Sequence, residues 1–375
     1  MIYLDNSATT QVCPEAAQAA VSVMTEFFGN PSSTHALGRD ARTRLKQARA
    51  VIAASIGAQP DEIYFTAGGT EADNWALRSA AQANFRRGRH IISSLTEHDA
   101  ILKTLSRLEH DGFEITRLQP GPDGAVSAAD VAAALRPDTI LVSLMLVNNE
   151  TGAVTDIRAV SQAIKKSGAP ALLHTDAVQG YLKMPINAAK LGADMISLSG
   201  HKVHAPKGSG ALYIRKGVRL PALIDGGGQE SGLRSGTEGM PGICAFAAAV
   251  SAAKADTGYM QRMDSLRKLA MDTLREQLPD CVFIGGGAPH ILCVSVPGYK
   301  SEVLLNYLDA KGICVSKGSA CKKGARSHVL EAMQLPATVI DGAIRVSLCR
   351  FTTQDEILTS CAALKEACGS LYKTL

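Results

Sequence analysis

The 375 residues are 46% hydrophobic with a net charge of +4, enough for a large core and too balanced for a nucleic-acid stripe or a membrane-binding face. Aromatics make up only 5% of the chain, which argues against base-stacking platforms, and no apolar run reaches the ~18 residues of a membrane span. Nine cysteines at irregular spacings, with no C-x-x-C pair, argue against zinc and fit reduced thiols in a cytoplasmic protein. The opening MIYLDNSATT lacks a basic segment followed by an apolar one, so no secretory signal is expected.

Seven apolar runs of strand length lie between residues 60 and 215: EIYFT (62–66), HIISSL (90–95), FEITRL (113–118), TILVSLMLV (139–147), ALLHT (171–175), DMISLS (194–199) and GALYI (210–214). Most are continuously apolar, as strands covered on both faces are. Helical segments TEADNWALRSAAQANFRRG, HDAILKTLSRLEHDG, SAADVAAAL and DIRAVSQAIKKSG separate the earlier ones. This alternation predicts an α/β fold with a mostly parallel seven-stranded sheet and helices on both faces. The gap from 200 to 209 is too short for a helical crossover, so GALYI is expected to pair antiparallel.

Seven glycines fall between 226 and 242, too many for a helix or strand, and a helical pattern follows over roughly 243–277. The remainder mixes HILCVSV, SEVLLNYLDA, GICVS, AIRVSL and a closing helix from about Thr353, which reads as a smaller α+β domain. The expected division is a large domain over 13–255 and a small one built from 1–12 and 256–375.

Ligands of open α/β sheets sit at the carboxyl ends of the strands, so the residues just after each run carry the functional reading. Ala67-Gly-Gly-Thr-Glu-Ala-Asp73 opens a helix after EIYFT. Gly69 and Thr70 there form a potential phosphate cradle, through free N–H groups, the helix dipole and a hydroxyl. Read alone, the segment is more simply an ordinary strand–turn–helix with Thr70 as N-cap. His98 follows HIISSL as a ligand-facing or a capping histidine. Asn148 and Asn149 follow TILVSLMLV, as carboxylate-binding amides or as a polar turn. Asp176 follows ALLHT and needs a partner, because an unpaired buried carboxylate is costly. A protonated ring nitrogen or a neighbouring Arg or Lys would serve. Lys202 lies 26 residues on, which places acid and amine at adjacent strand ends. An anion cradle, an acid for a pyridinium and a lysine amine together are the set that pyridoxal 5′-phosphate requires.

Ordered motifs run almost end to end, among them YLDNSATT (3–10), GGTEADN (68–74), VNNETG (147–152), HTDAVQ (174–179), SLSGHK (197–202), RSGTEGMPG (234–242), GSAC (318–321) and IRVSL (344–348). With these the chain resembles the cysteine desulfurases, in the class V branch of fold-type I pyridoxal-phosphate enzymes. The group includes the nitrogen-fixation and iron–sulfur-assembly desulfurases. The resemblance implies a fold-type I transferase in which Lys202 forms the Schiff base, His98 stacks on the ring and moves protons, and Asp176 pairs with its nitrogen. Gln179 would reach the ring's phenolic oxygen. Thr70, Ser199 and His201, with the backbone near Gly69, would hold the phosphate. Thr237 would reach the phosphate of the neighbouring subunit in a homodimer. Asn149 and Arg345 would bind the carboxylate of L-cysteine.

Cys321, in Ser316-Lys-Gly-Ser-Ala-Cys-Lys-Lys-Gly-Ala-Arg326, is the implied persulfide carrier, and Lys317, Lys322 and Lys323 would lower its pKa. Sulfur would then pass to a protein acceptor, an iron–sulfur scaffold or a tRNA-thiolation enzyme, with no direct nucleic-acid or membrane contact. The products would be alanine and the enzyme persulfide. The alternatives are another class V enzyme, such as a selenocysteine lyase or small-amino-acid aminotransferase, and a catalytically silent cofactor-binding subunit. The chain departs from the family pattern at Lys322-Lys323, His204 and Cys349. Lys207 reads as a structural or phosphate-side charge.

Overall fold

The computed structural model describes residues 1–317 and 326–373. Its centre is a seven-stranded sheet. In spatial order the strands are Ile63–Thr66, Gly210–Ile214, Met195–Ser199, Leu172–Asp176, Thr139–Ser143, His90–Ser94 and Glu114–Leu118. Only Gly210–Ile214 runs against the others, pairing antiparallel on both sides. The ten residues between it and the preceding strand cannot hold a crossover, so the chain turns straight back. The other six strands therefore end on one edge of the sheet.

Side-chain alternation splits each strand between two apolar layers. Ile91, Leu141, Met195 and Leu212 face the layer that contains Trp75 and Leu105. Their neighbours Ile92, Val142, Ile196 and Ala211 face the layer of Ile52 and Phe246. Coverage on both faces explains why the runs are continuously apolar. The helices that cover them include Gly69–Asn84 and Asp99–His110 on one side, and Ala36–Ser55, Ile157–Ser167 and Met240–Ala255 on the other.

A second, three-stranded antiparallel sheet orders Ala343–Ser347, Ile291–Ser295 and Val282–Ile284. Helices Tyr259–Gln277, Ser301–Ala310 and Gln354–Ser370 pack on it through Leu274, Val294, Leu304, Ile344 and Leu364. The chain start joins this region, since Ile2 and Tyr3 pair in parallel with Ile313 and Cys314. Thr353 caps the last helix reciprocally with Glu356.

Three sequence expectations change in detail. The pattern over 243–277 is two helices, Met240–Ala255 and Tyr259–Gln277, because Gly258 adopts φ +80° and breaks the run. The strand expected over 139–147 leaves the sheet after Ser143, although Leu144 and Leu146 still donate to His174 and Asp176 carbonyls. Helices Pro14–Thr25 and Ala36–Ser55 and strand Val282–Ile284 add to the predicted set. Among the described residues, no helix is long and apolar enough to cross a membrane, and eight cysteines are free thiols.

Candidate active site at the carboxyl edge of the sheet

The six aligned strand ends border a cavity of about 870 Å³. Gly69, Thr70, His98, Asn149 and Asp176 line it, as do Gln179, Ser199, His201, Lys202 and Arg345. Of the predicted residues, Thr237 is exposed and lies outside it. Cys321, Lys322 and Lys323 lie outside the described residues.

The cradle forms as the backbone physics requires. Gly68, with φ +151°, caps the helix Gly69–Asn84, so Thr70 sits inside the first turn and is not the N-cap. First-turn N–H groups have no intrahelical acceptor, and this helix end opens on the cavity. A side chain at Gly69 would meet Val178 at 2.7 Å, which is why the helix can start this close to the strand end. Ser199 Oγ lines the same cavity, buried and without a hydrogen-bond partner.

Asp176 ends its strand beside the strand that ends at Ser199, in parallel register, with Lys202 three residues beyond. Burial raises the Asp176 pKa, opposed by the Val178 N–H (2.9 Å) and by the charges of His98 and Lys202. Two more acids surround it. Burial pushes Glu97 up to about 8 and raises Asp73 well above the usual carboxylate range, with the Asp176 charge adding to each. Glu97 is therefore neutral at pH 7, and Asp176 is the acid with cations facing it. His98 both caps helix Asp99–His110 through Nδ1 (3.2 Å from Ala100 N) and lines the cavity, so the two sequence readings coexist.

Lys202 ends a short turn, Gly200–Lys202, and its Nζ donates to the carbonyls of Ser7 and Ala8, each at 2.7 Å. Burial first, then the Arg345 charge, brings its pKa down to about 8, with Asp176 and Asp5 opposing. His201 falls to about 4, chiefly by burial and then by the charges of Lys202 and Lys207, so it is neutral. Lys207 itself is exposed. Gln179 donates to the Ser7 carbonyl at 2.9 Å, and its Oε1 is buried without a partner.

Arg345, on the second sheet, is 2% exposed and reaches the cavity across the boundary between the two sheets. Nη1 donates to the Asn149 carbonyl and Nη2 to Asp5 Oδ1, both at 2.7 Å. The ends of segment 318–325 are fixed nearby. Ser316 N donates to the Arg345 carbonyl at 3.1 Å, and Lys317 pairs with Glu302 at 2.8 Å. Arg326 pairs with Asp341, and Ser327 donates to Glu150.

Sequence reasoning missed the N-terminal strap. Asp5, Ser7 and Ala8 touch Arg345, Gln179 and Lys202, yet they precede the first helix and carry no periodic signal. The polar run Asp5–Thr10 right after a short strand was the available clue. His204 also gains an explanation. Its φ is +69°, its N–H donates to Thr10 Oγ1 at 2.8 Å and its Nδ1 to the Gln11 carbonyl at 2.9 Å, so it fastens the same strap.

The sequence matches the aminotransferase class-V family over residues 2–359. A cysteine desulfurase of Trichormus azollae is 42% identical over 364 residues, covering 95% of this chain and 90% of that protein. The cysteine desulfurase IscS of Methanosarcina thermophila is 42% identical over 364 residues, with 95% and 89% covered. Among solved structures, a NifS-like protein superposes with a TM-score of 0.93 at 36% identity, covering 99% of this chain and all of that one. The chain belongs to the aminotransferase class-V family, in its cysteine desulfurase branch.

Proposed function

We propose that this protein is a pyridoxal 5′-phosphate-dependent cysteine desulfurase. It removes sulfur from L-cysteine, releases L-alanine and keeps the sulfur as a persulfide on Cys321. One observation carries the reading: an amine, a carboxylate, an imidazole and a guanidinium, from Lys202, Asp176, His98 and Arg345, converge in one cavity.

The residues present fit the cofactor. Ser199 Oγ and Gln179 Oε1 are buried acceptor or donor atoms left without partners at the cavity wall. The helix start at Gly69 and Thr70 adds unpaired N–H groups suited to a phosphate. Thr70, Ser199 and His201 would hold the phosphate, Gln179 the phenolic oxygen, and Lys202 the aldehyde carbon. When bound, the cofactor supplies an electron sink for the substrate α-carbon. Asp176 supports that sink, because a cationic ring nitrogen beside it would supply the counter-charge its burial requires.

Lys202 Nζ, with a pKa brought down to about 8, would serve as the base for the substrate α-proton. His98, which lines the same cavity, would stack on the ring and move protons. Arg345 and Asn149 orient the substrate carboxylate, for which a planar fork already fixed on two sides is suited. The overall transfer balances: the carbon–sulfur bond of cysteine breaks, a sulfur–sulfur bond to Cys321 forms, and the thiol proton ends on alanine. The attacking group is the Cys321 thiolate.

The proposal extends to the assembly. Residues 13–255 form the cofactor domain, and 1–12 with 256–375 form the small domain that carries Cys321. Two protomers pair so that Thr237 of each reaches the neighbouring phosphate, a reading supported by its exposure outside its own cavity. The persulfide passes to a protein acceptor, an iron–sulfur scaffold or a tRNA-thiolation enzyme. Free thiols at the eight described cysteines support a reducing, cytoplasmic setting.

The test is alanine release from cysteine by purified protein. Cys321→Ala retains the yellow cofactor absorbance and loses alanine formation. Undiminished alanine production by that variant would sink the assignment of Cys321.

A further inference from the structure

The phosphate cradle has a carboxylate built beside it. Glu71 follows Thr70 in the first turn of helix Gly69–Asn84. A helix N-terminus stabilises negative charge through its dipole and free N–H groups, so Glu71 and a bound phosphate would draw on the same helix end. The side chains assigned to the phosphate bring no charge of their own. Thr70 and Ser199 are hydroxyls, and His201 is neutral. A phosphate ester close to doubly charged would therefore be repelled by a bare carboxylate one residue from Thr70.

Arg234 answers that charge. Its Nε donates to Glu71 Oε1 at 2.8 Å and its Nη2 to Glu71 Oε2 at 3.2 Å, joining residues 163 positions apart. The two side chains are only 23% and 22% exposed, so solvent screens the pair in part. Two nitrogens on two oxygens fix the carboxylate in a way a lysine could not. Glu230, in the same segment as Arg234, is already matched by both terminal nitrogens of Arg49 at 2.7 Å.

The segment that delivers Arg234 is held in shape by its own bonds. Arg234 forms a parallel bridge with Ile224. Ser235 N donates to the Ile224 carbonyl at 3.0 Å, Gly228 N to Ser235 Oγ at 3.3 Å and Gly236 N to Gln229 Oε1 at 3.0 Å. A glycine-rich stretch folded on itself in this way presents the guanidinium from a set backbone. Neither Arg234 nor Glu71 lines the large cavity itself.

We propose that Arg234 is a positioning residue of the phosphate site: it neutralises Glu71, so that the helix start at Gly69 and Thr70 can receive the phosphate of pyridoxal 5′-phosphate. The role rests on the cofactor reading and deepens it. Arg234 sets cofactor affinity from outside the cavity wall, by removing a competing charge.

Titration of cofactor-free protein with pyridoxal 5′-phosphate, followed by the absorbance of cofactor attached at Lys202, tests this without turnover. Arg234→Gln is expected to weaken binding roughly 3- to 30-fold, the span for one charge at a helix terminus, and by less at high salt. Pyridoxal, the same aldehyde without the phosphate, should bind Arg234→Gln and the parent protein alike, with Lys202→Ala giving the background from other lysines. Glu71→Gln combined with Arg234→Gln should return the affinity for pyridoxal 5′-phosphate close to the parent value. Unchanged affinity in Arg234→Gln overturns the proposal. So does an equal loss for pyridoxal, or a double variant as weak as Arg234→Gln alone, since either would make Arg234 a support of the fold only. A parent protein that attaches no pyridoxal 5′-phosphate sinks the cofactor reading itself and this role with it, so the two failures are distinguishable.

Discussion

Arg345 donates Nη2 to Asp5 Oδ1 at 2.7 Å, a bond that joins residues 340 positions apart at the wall of the cavity. With Nη1 on the Asn149 carbonyl, the guanidinium plane is fixed before any substrate arrives. Lysine cannot reproduce two bonds in one plane. Arg345→Lys is expected to lose about 2 kcal/mol of substrate binding, roughly thirty-fold in kcat/KM for cysteine, seen mainly in KM. Asp5→Asn should move KM in the same direction by less. Steady-state alanine release measures both, and an unchanged KM in Arg345→Lys would remove Arg345 from the carboxylate site.

Lys202 sets a pH dependence for cofactor capture. Its pKa falls to about 8 because burial disfavours the charged amine. Only the neutral amine attacks an aldehyde. The rate at which cofactor-free protein takes up pyridoxal 5′-phosphate should therefore rise with pH through about 8 and level off above it. Asp5 is one of the charges that hold this pKa up, so Asp5→Asn should shift the midpoint to lower pH. Stopped-flow absorbance follows the uptake, and a flat profile across the neutral to alkaline range would reject the assignment.

Asp176→Asn keeps the side-chain shape and its Val178 contact while removing the charge. Cofactor should still attach through Lys202. Alanine formation should fall by roughly 10²–10³-fold, the usual effect of losing one preorganised electrostatic partner. Absorbance reports attachment and alanine reports turnover, so the two effects separate. Wild-type turnover in this variant would show that the ring nitrogen has no need of Asp176.

Glu230 offers a stability test away from the cavity. Its side chain is 3% exposed and accepts both terminal nitrogens of Arg49 at 2.7 Å, plus the Phe65 N–H at 2.8 Å. Arg49→Met strands a buried carboxylate and is expected to cost about 3 kcal/mol in urea unfolding. Arg49→Met combined with Glu230→Met should recover part of that loss. If the double variant is the less stable one, the pair is net stabilising and the stranded-charge explanation is wrong.

Strand ends made much of the cavity legible from sequence. Once the apolar runs were placed, Asp176 and Lys202 had to stand side by side, and the pairing of Leu172–Asp176 with Met195–Ser199 puts them there. The reversal of Gly210–Ile214 followed from chain length alone. What sequence left open were choices settled by three-dimensional context. Thr70 gave up the capping position to Gly68, because φ +151° is reserved for glycine. The helix break at Gly258 was readable in Asp256-Thr257-Gly258, although apolar periodicity continues on both sides of it. The contacts of Asp5, Ser7 and Ala8 had no local signal, since their partners lie far along the chain.

That strap carries a consequence for biosynthesis. Asn6 Nδ2 donates to the Ser347 carbonyl, and Ser7 N to Ser347 Oγ, both at 2.9 Å. Asn6 and Ser7 thus close onto a strand some 340 positions later in the chain. Contacts of such sequence separation form late, after the loop entropy between them has been overcome. The seven-stranded sheet can be complete on a nascent chain whose strap is still loose. Lys202 takes its Ser7 and Ala8 acceptors from this same strap, so the final setting of the amine is tied to that long-range closure.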